Sequence, residues 1–215
     1  MSPSRRHMKT FITRFLFLLI ALVSCTWNAP AQQSKIRKID FNNFTYPGIR
    51  ESRSFTLKSG ELEIEGKPCP HFKYTLGRVD YVDLDGDGGE EALVHIQDFT
   101  GCVSSSVHEN YYIYGIRQNG LRLLWKFVSG AEGEAGLKDF RLEGRVLIFE
   151  LFGKHRIVGA KPQSAGQNSG GDCCPASYSR IRVAWDGRAF RQRSVRFFPF
   201  PYPTIMDYFA RKRGK

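Results

Sequence analysis

The sequence has no motif that names a reaction. It contains no H-E-x-x-H pair, no P-loop, no dinucleotide fingerprint and no G-x-S-x-G elbow. The usual zinc-protease, nucleotide-binding and α/β-hydrolase readings therefore have no anchor. Cysteine is sparse, five in 215 residues, and none forms a C-x-x-C pair. A zinc site through His71 or His108 is accordingly the weaker use of those cysteines. No internal repeat of convincing length appears, which counts against a full propeller built by this chain alone. No nucleic-acid recognition motif is present, so nucleic acid is not an expected partner. After residue 23 no second long apolar run occurs.

Acids are missing from the N-terminal end and scarce at the C-terminal one. Residues 1–14 carry Arg5, Arg6, Lys9 and Arg14 with no Asp or Glu, and Phe15–Val23 is apolar. A basic stretch followed by a short apolar one reads as a secretory signal, and the run is short for a bilayer span. Two cleavage sites are open. Leu22-Val23-Ser24-Cys25 resembles a bacterial lipobox, which would leave Cys25 as a lipidated N-terminus. Ala29-Pro30-Ala31 is a small-residue site that would release a soluble form. At the other end, residues 180–215 hold ten Lys or Arg against Asp186 and Asp207. The formal charge of +11 is thus concentrated at the two ends. Such clustering points to an anionic partner, an envelope component or a membrane surface.

Between the ends, the pattern is that of a packed, mainly β protein. Aromatics make up 13% of the chain and fall in strand-like runs. Turn signals mark four hairpins: Ser59-Gly60, Asn119-Gly120, Glu143-Gly144 and Asp186-Gly187. Two-residue turns put Leu57 opposite Leu62, Tyr112 opposite Phe127, Tyr114 opposite Trp125, and Phe140 opposite Leu147. About ten antiparallel strands are expected, in a meander forming a sandwich or a propeller-blade-like sheet. Residues 36–203 form one β-rich domain in this reading. Residues 161–176 are expected as a loop. Residues 204–215 form a basic tail, and Pro203 could start a short helix through Met206 and Phe209. Cys69, Cys102, Cys173 and Cys174 are an even set in an exported chain, hence disulfide candidates with three possible connectivities. A bond between the adjacent Cys173 and Cys174 would be strained, so each is expected to pair elsewhere.

One run carries a candidate site: Asp83-Leu84-Asp85-Gly86-Asp87-Gly88-Gly89-Glu90-Glu91. Calcium takes six to eight oxygens from a flexible loop. Asp83, Asp85 and Asp87 stand at positions one, three and five, Gly88 at the sharp turn, and Gly89 offers a carbonyl. Position twelve is Val94, and strand-like runs flank the loop, so it is not an EF-hand. Glu91 at position nine closes the set instead. The bland alternative is a metal-free turn whose Asp side chains bond nearby backbone N–H groups. The loop spacing resembles the calcium loops of FG-GAP and VCBS repeats. A longer set of pieces resembles LppP/LprE-type bacterial lipoproteins: Tyr81–Gly88 with Glu90–Val94, Ile39–Pro47, Leu123-Leu124-Trp125, Cys173-Cys174-Pro175 and Trp185-Asp186-Gly187. That resemblance implies a cell-envelope protein without assigned catalytic residues.

A second site is suggested by the last hairpin. A two-residue Asp186-Gly187 turn would place Arg182 opposite Arg191 and Arg180 opposite Arg193. Like charges directly opposed on a sheet are unfavourable, so a bound anion, a phosphate headgroup or carboxylates from elsewhere should offset them. The sequence therefore predicts a non-catalytic exported envelope module, stabilised by Ca2+. The alternative is an envelope hydrolase using the loop's metal, with Asp98 as a further carboxylate.

Overall fold

In a computed structural model of the chain, residues 35–48, 53–65, 71–101, 106–118, 120–130, 135–165, 175–201 and 210–211 are described. The expected signal with Cys25, the four other cysteines and most of the expected C-terminal helix lie outside them. No helix among the described residues is long and apolar enough to cross a membrane.

The fold is mainly β and antiparallel. Strands β1 (Thr45–Tyr46) and β2 (Phe55–Thr56) form a short ribbon. Strands β3 (Glu61–Ile64), β4 (His71–Val82), β5 (Glu91–Gly101), β6 (Ser106–Arg117) and β7 (Gly120–Val128) follow as a five-stranded meander. Strands β8 (Leu137–Glu143), β9 (Val146–Phe152), β12 (Ser177–Trp185) and β13 (Phe190–Pro199) make a second sheet, ordered β13-β12-β9-β8. Between β9 and β12 runs a small hairpin, β10 (His155–Val158) and β11 (Lys161–Ser164).

The five-stranded sheet is buried on both faces, and β5 shows why. Its run Ala92-Leu93-Val94 is continuously buried. Alternate residues of a strand face opposite sides, so such a run needs a cover on each. Ala92, Val94 and Ile96 pack with Tyr112 and Tyr114 against Ile36, Phe41, Tyr46 and Phe55 of the N-terminal segment. Leu93, Tyr111, Ile113 and Phe127 pack against Leu147, Phe149, Leu151, Ile181 and Val183 of the second sheet. The sandwich forms through this second core. The first core is held by a local device: Asp40 caps a 3-10 turn over Phe41–Asn43, and the Tyr46 hydroxyl donates to the Phe41 carbonyl at 2.7 Å.

Three of the four turn signals mark strand hairpins, and all three registers differ from the two-residue expectation. Arg117 pairs with Gly120, and a bulge beyond it sets Ile113 opposite Trp125 and Tyr112 opposite Lys126. A one-residue slip reverses which face a side chain takes. Tyr112 and Tyr114 thereby go to the N-terminal core, and Trp125 and Phe127 go to the inter-sheet core. Glu143 pairs with Val146, so Phe140 meets Phe149 rather than Leu147. That slip is by two, and the buried face is kept. In the last hairpin Trp185 pairs with Phe190, because Asp186 accepts from the N–H groups of Arg188 and Ala189 and closes a longer loop.

At Ser59-Gly60 both residues have positive φ, 53° and 85°, as a two-residue hairpin turn requires. Lys58 opposes Glu61, but the pairing stops there. Phe55–Thr56 pairs with β1 and Glu61–Ile64 with β4, so Leu57 does not meet Leu62. Residues 161–164 are a strand, not loop, because the Gly159 turn folds them back on β10. Pro162 is tolerated there because β11 is an edge strand.

Candidate functional site

The acidic run is the connection between β4 and β5, with Glu91 as the first residue of β5. Carboxylate oxygens of Asp83, Asp85 and Glu91 all lie within 4.8 Å of one another. Each acid also has a backbone duty. Asp83 accepts from Gly86 N–H at 2.7 Å, Asp85 from Asp87 N–H at 3.1 Å, and Asp87 from Gly89 N–H at 2.7 Å. Glu91 Oε2 accepts from the N–H groups of Leu84 at 2.9 Å and Asp85 at 3.3 Å. These are the Asx-type bonds by which short acids hold a turn. Gly86 and Gly88 supply the positive φ values, 87° and 88°.

Asp87 falls outside the triad. The Asp87 side chain is 45% exposed, and Gly89 uses its N–H toward Asp87. Glu90 points away to Arg37, which grips it with two bonds of 2.7 Å and holds its carboxyl below the usual range. That pair ties the N-terminal segment to the loop.

Two arginines that the sequence reading passed over complete the site. Arg117, from the end of β6, pairs with Asp85 and reaches Glu91 Oε1 at 3.3 Å. Arg145, from the turn between β8 and β9, meets Asp83 at 2.7 Å. Glycines make room for both. A Cβ on Gly115 would lie 2.8 Å from the Arg117 guanidinium, and one on Gly86 would lie 2.7 Å from that of Arg145. No local pattern announces these partners, since Arg117 is 26 positions from Glu91 and Arg145 is 62 from Asp83.

Burial dominates the electrostatics. Glu91 is 1% exposed, and desolvation, with the Asp85 charge adding to it, pushes its carboxyl up to about 6. Asp85 is also raised, chiefly by burial. Such groups call for a cation, and Arg117 supplies one charge. The three carboxylates lie close enough together that they could hold a metal ion. Three carboxylates with their backbone anchors are hard-oxygen donors of the type calcium selects.

The other candidates are dispersed. Asp98 lies seven residues along β5 from Glu91, roughly 23 Å at strand rise. Paired carboxylates for glycoside hydrolysis stand about 5–9.5 Å apart, so Asp98 does not join the loop. Asp98 instead accepts from buried Asn110 at 2.9 Å. His95 pairs with Glu109 and stacks on Tyr111, while His108 lies directly opposite Asp98. His155 is half-buried, and desolvation lowers its pKa.

The arginine face also differs from its expectation. Arg182 opposes Ser194, Arg191 opposes Ala184, and Arg193 falls at the bulge. Carboxylates of the fold take most of the charge. Arg180 bonds Glu150 at 2.7 Å, Arg182 meets Glu143 at 3.3 Å, and Arg191 meets Asp186 at 2.7 Å. Arg193 donates to the Trp185 carbonyl. The hub is Glu150, 3% exposed, which also receives Lys138 and Arg141.

Fold and site together define an antiparallel β sandwich with an acidic, arginine-clamped loop between two adjacent strands. Comparison with protein-family models, curated proteins and solved structures returns no match to this chain.

Proposed function

We propose that this chain is an exported, non-catalytic module of the bacterial cell envelope whose β4–β5 loop is stabilised by calcium. The observation that carries the metal reading is the convergence of Asp83, Asp85 and Glu91 within 4.8 Å. Asp83, Asp85 and Glu91 would hold the ion, with Asp87 as an added, more exposed acid. Bound calcium would neutralise acids that burial disfavours and would pin the turn between two core strands. The basic-then-apolar N-terminal segment and the similarity to LppP/LprE-type lipoproteins support export, either anchored through Cys25 or soluble.

Calorimetric titration of residues 32–215 with calcium, in chelator-treated protein, tests the reading. Saturable heat and a raised melting temperature are expected, and Asp85→Asn should remove both. Absence of heat, together with an unchanged melting temperature, would sink the metal assignment.

A further inference from the structure

The two halves of the described chain differ sharply in charge. Residues 135–165 and 175–201 hold twelve Lys or Arg against Asp139, Glu143, Glu150 and Asp186. The described residues before them hold ten cations against twelve acids. The excess therefore belongs to the four-stranded sheet and its hairpin.

Within that sheet the internal acids pair with some of the arginines. Glu150 and Glu143 take Arg180, Arg141 and Arg182, while Asp186 takes Arg191. Arg188, Arg193 and Arg196 make no ion pair with a carboxylate among the described residues, although the Arg193 charge helps to lower the Asp186 carboxyl, and all three are exposed. They lie on or next to β13, an outermost strand of its sheet. Arg196 stands directly opposite Arg180, a like-charge pair that Glu150 relieves on the Arg180 side alone. Phe197 follows at once and is 41% exposed. Successive strand residues face opposite sides, so Phe197 flanks Arg196 from the other face of this edge strand; exposed cations and an exposed aromatic sharing one edge suit a surface with phosphate outside and hydrocarbon beneath.

We propose that the β13 edge docks on an anionic lipid surface. Phosphate headgroups take Arg188, Arg193 and Arg196, and Phe197 enters the layer below them. The inference rests on the reading of this chain as an exported envelope module, and is independent of the loop's cation. The sandwich would lie with its β13 edge on the membrane and the acidic loop on its other, less basic sheet.

Co-sedimentation of residues 32–215 with vesicles tests it. Vesicles of phosphatidylcholine mixed with phosphatidylglycerol should bind the protein, and pure phosphatidylcholine should not. Each arginine near an anionic surface changes binding by roughly fivefold, so Arg193→Gln with Arg196→Gln should weaken it about 30-fold. Phe197→Ser should weaken vesicle binding while leaving binding to soluble polyphosphate unchanged. Glu61→Gln, on the far sheet, serves as the control and should have no effect. Circular dichroism melting of each variant separates lost docking from lost folding. Equal binding to both vesicle types would overturn the proposal. So would polyphosphate binding without vesicle binding, or a dimer in solution that dissociates on Arg196→Gln. Repeating the assay with calcium and with chelator separates the two readings, because docking is expected in both.

Discussion

Glu150→Gln isolates the electrostatic core of the second sheet. The carboxylate is 3% exposed on β9, a strand with Ile148 and Phe152 fully buried on the same face. Burial by itself would push its carboxyl up. The hydrogen bonds from Lys138 and Arg180 outweigh that and hold it below its ordinary value of 4.5. Glutamine keeps the shape and removes the charge. Breaking a buried pair on one side costs about 3–5 kcal/mol, because the remaining charge is left uncompensated. The Arg180 and Arg141 side chains are 35% and 37% exposed and can turn to water, whereas Lys138 is 13% exposed. The lower end, about 3 kcal/mol, is therefore expected. An exported form of about 180 residues unfolds with an entropy of roughly 0.4 kcal/mol/K, so the melting temperature should fall by about 8 °C.

Urea unfolding followed by circular dichroism measures the change directly. Glu143→Gln is the matched comparison, since that acid is 48% exposed and pairs with Arg141 and Arg182. Its exposed pairs are screened by water, so it should cost much less than Glu150→Gln. The pH dependence supplies an independent sign. A carboxyl lowered in the folded state stabilises above its unfolded value, and that stability is lost as pH falls through the folded value. The native protein should thus lose stability below about pH 4.5, and Glu150→Gln should lack that part of the loss. A cost no larger than that of Glu143→Gln, or an unchanged acid limb, would refute the argument.

Three further outcomes follow from the same structure. Phe149→Ala removes a fully buried ring that meets Phe127 at 4.6 Å and Phe140 at 5.0 Å, and should cost about 3–5 kcal/mol in urea unfolding. Arg117→Met leaves Asp85 and Glu91 without their cation; in chelator its melting point should fall by an amount worth about 2 kcal/mol, and calcium should restore it. Gly60→Ala forces a side chain to φ 85° with its Cβ 3.0 Å from Asn42 Oδ1, and should cost about 1–2 kcal/mol by thermal melting.

The strand runs were legible because their cause is local. Alternation along Ser177–Trp185 and the glycine-containing turns predict strands and hairpins wherever they occur. Register was less legible. The Asp186 side chain enlarges one loop, and bulges at residues 124 and 193 depend on which face the neighbouring sheet accepts. The acids of the candidate site could be read off one nine-residue run, since Asp-Gly spacing is a property of contiguous backbone. Its cations could not, because Arg117 and Arg145 come from separate hairpins.

What the sequence alone determined is therefore the β class, the places where the chain turns, and an acidic loop able to hold a cation. The tertiary structure decided which side of each strand is buried, since a slip of one residue exchanges the faces. It also decided the fate of the arginines. Read along the chain they form one basic cluster; in the folded sheet, Glu143, Glu150 and Asp186 neutralise Arg182, Arg180 and Arg191. Arg188, Arg193 and Arg196, along the β13 edge, make no ion pair with a carboxylate among the described residues. Charge pairing acts over a few ångströms, and only the packed sheets bring strands distant in sequence that close.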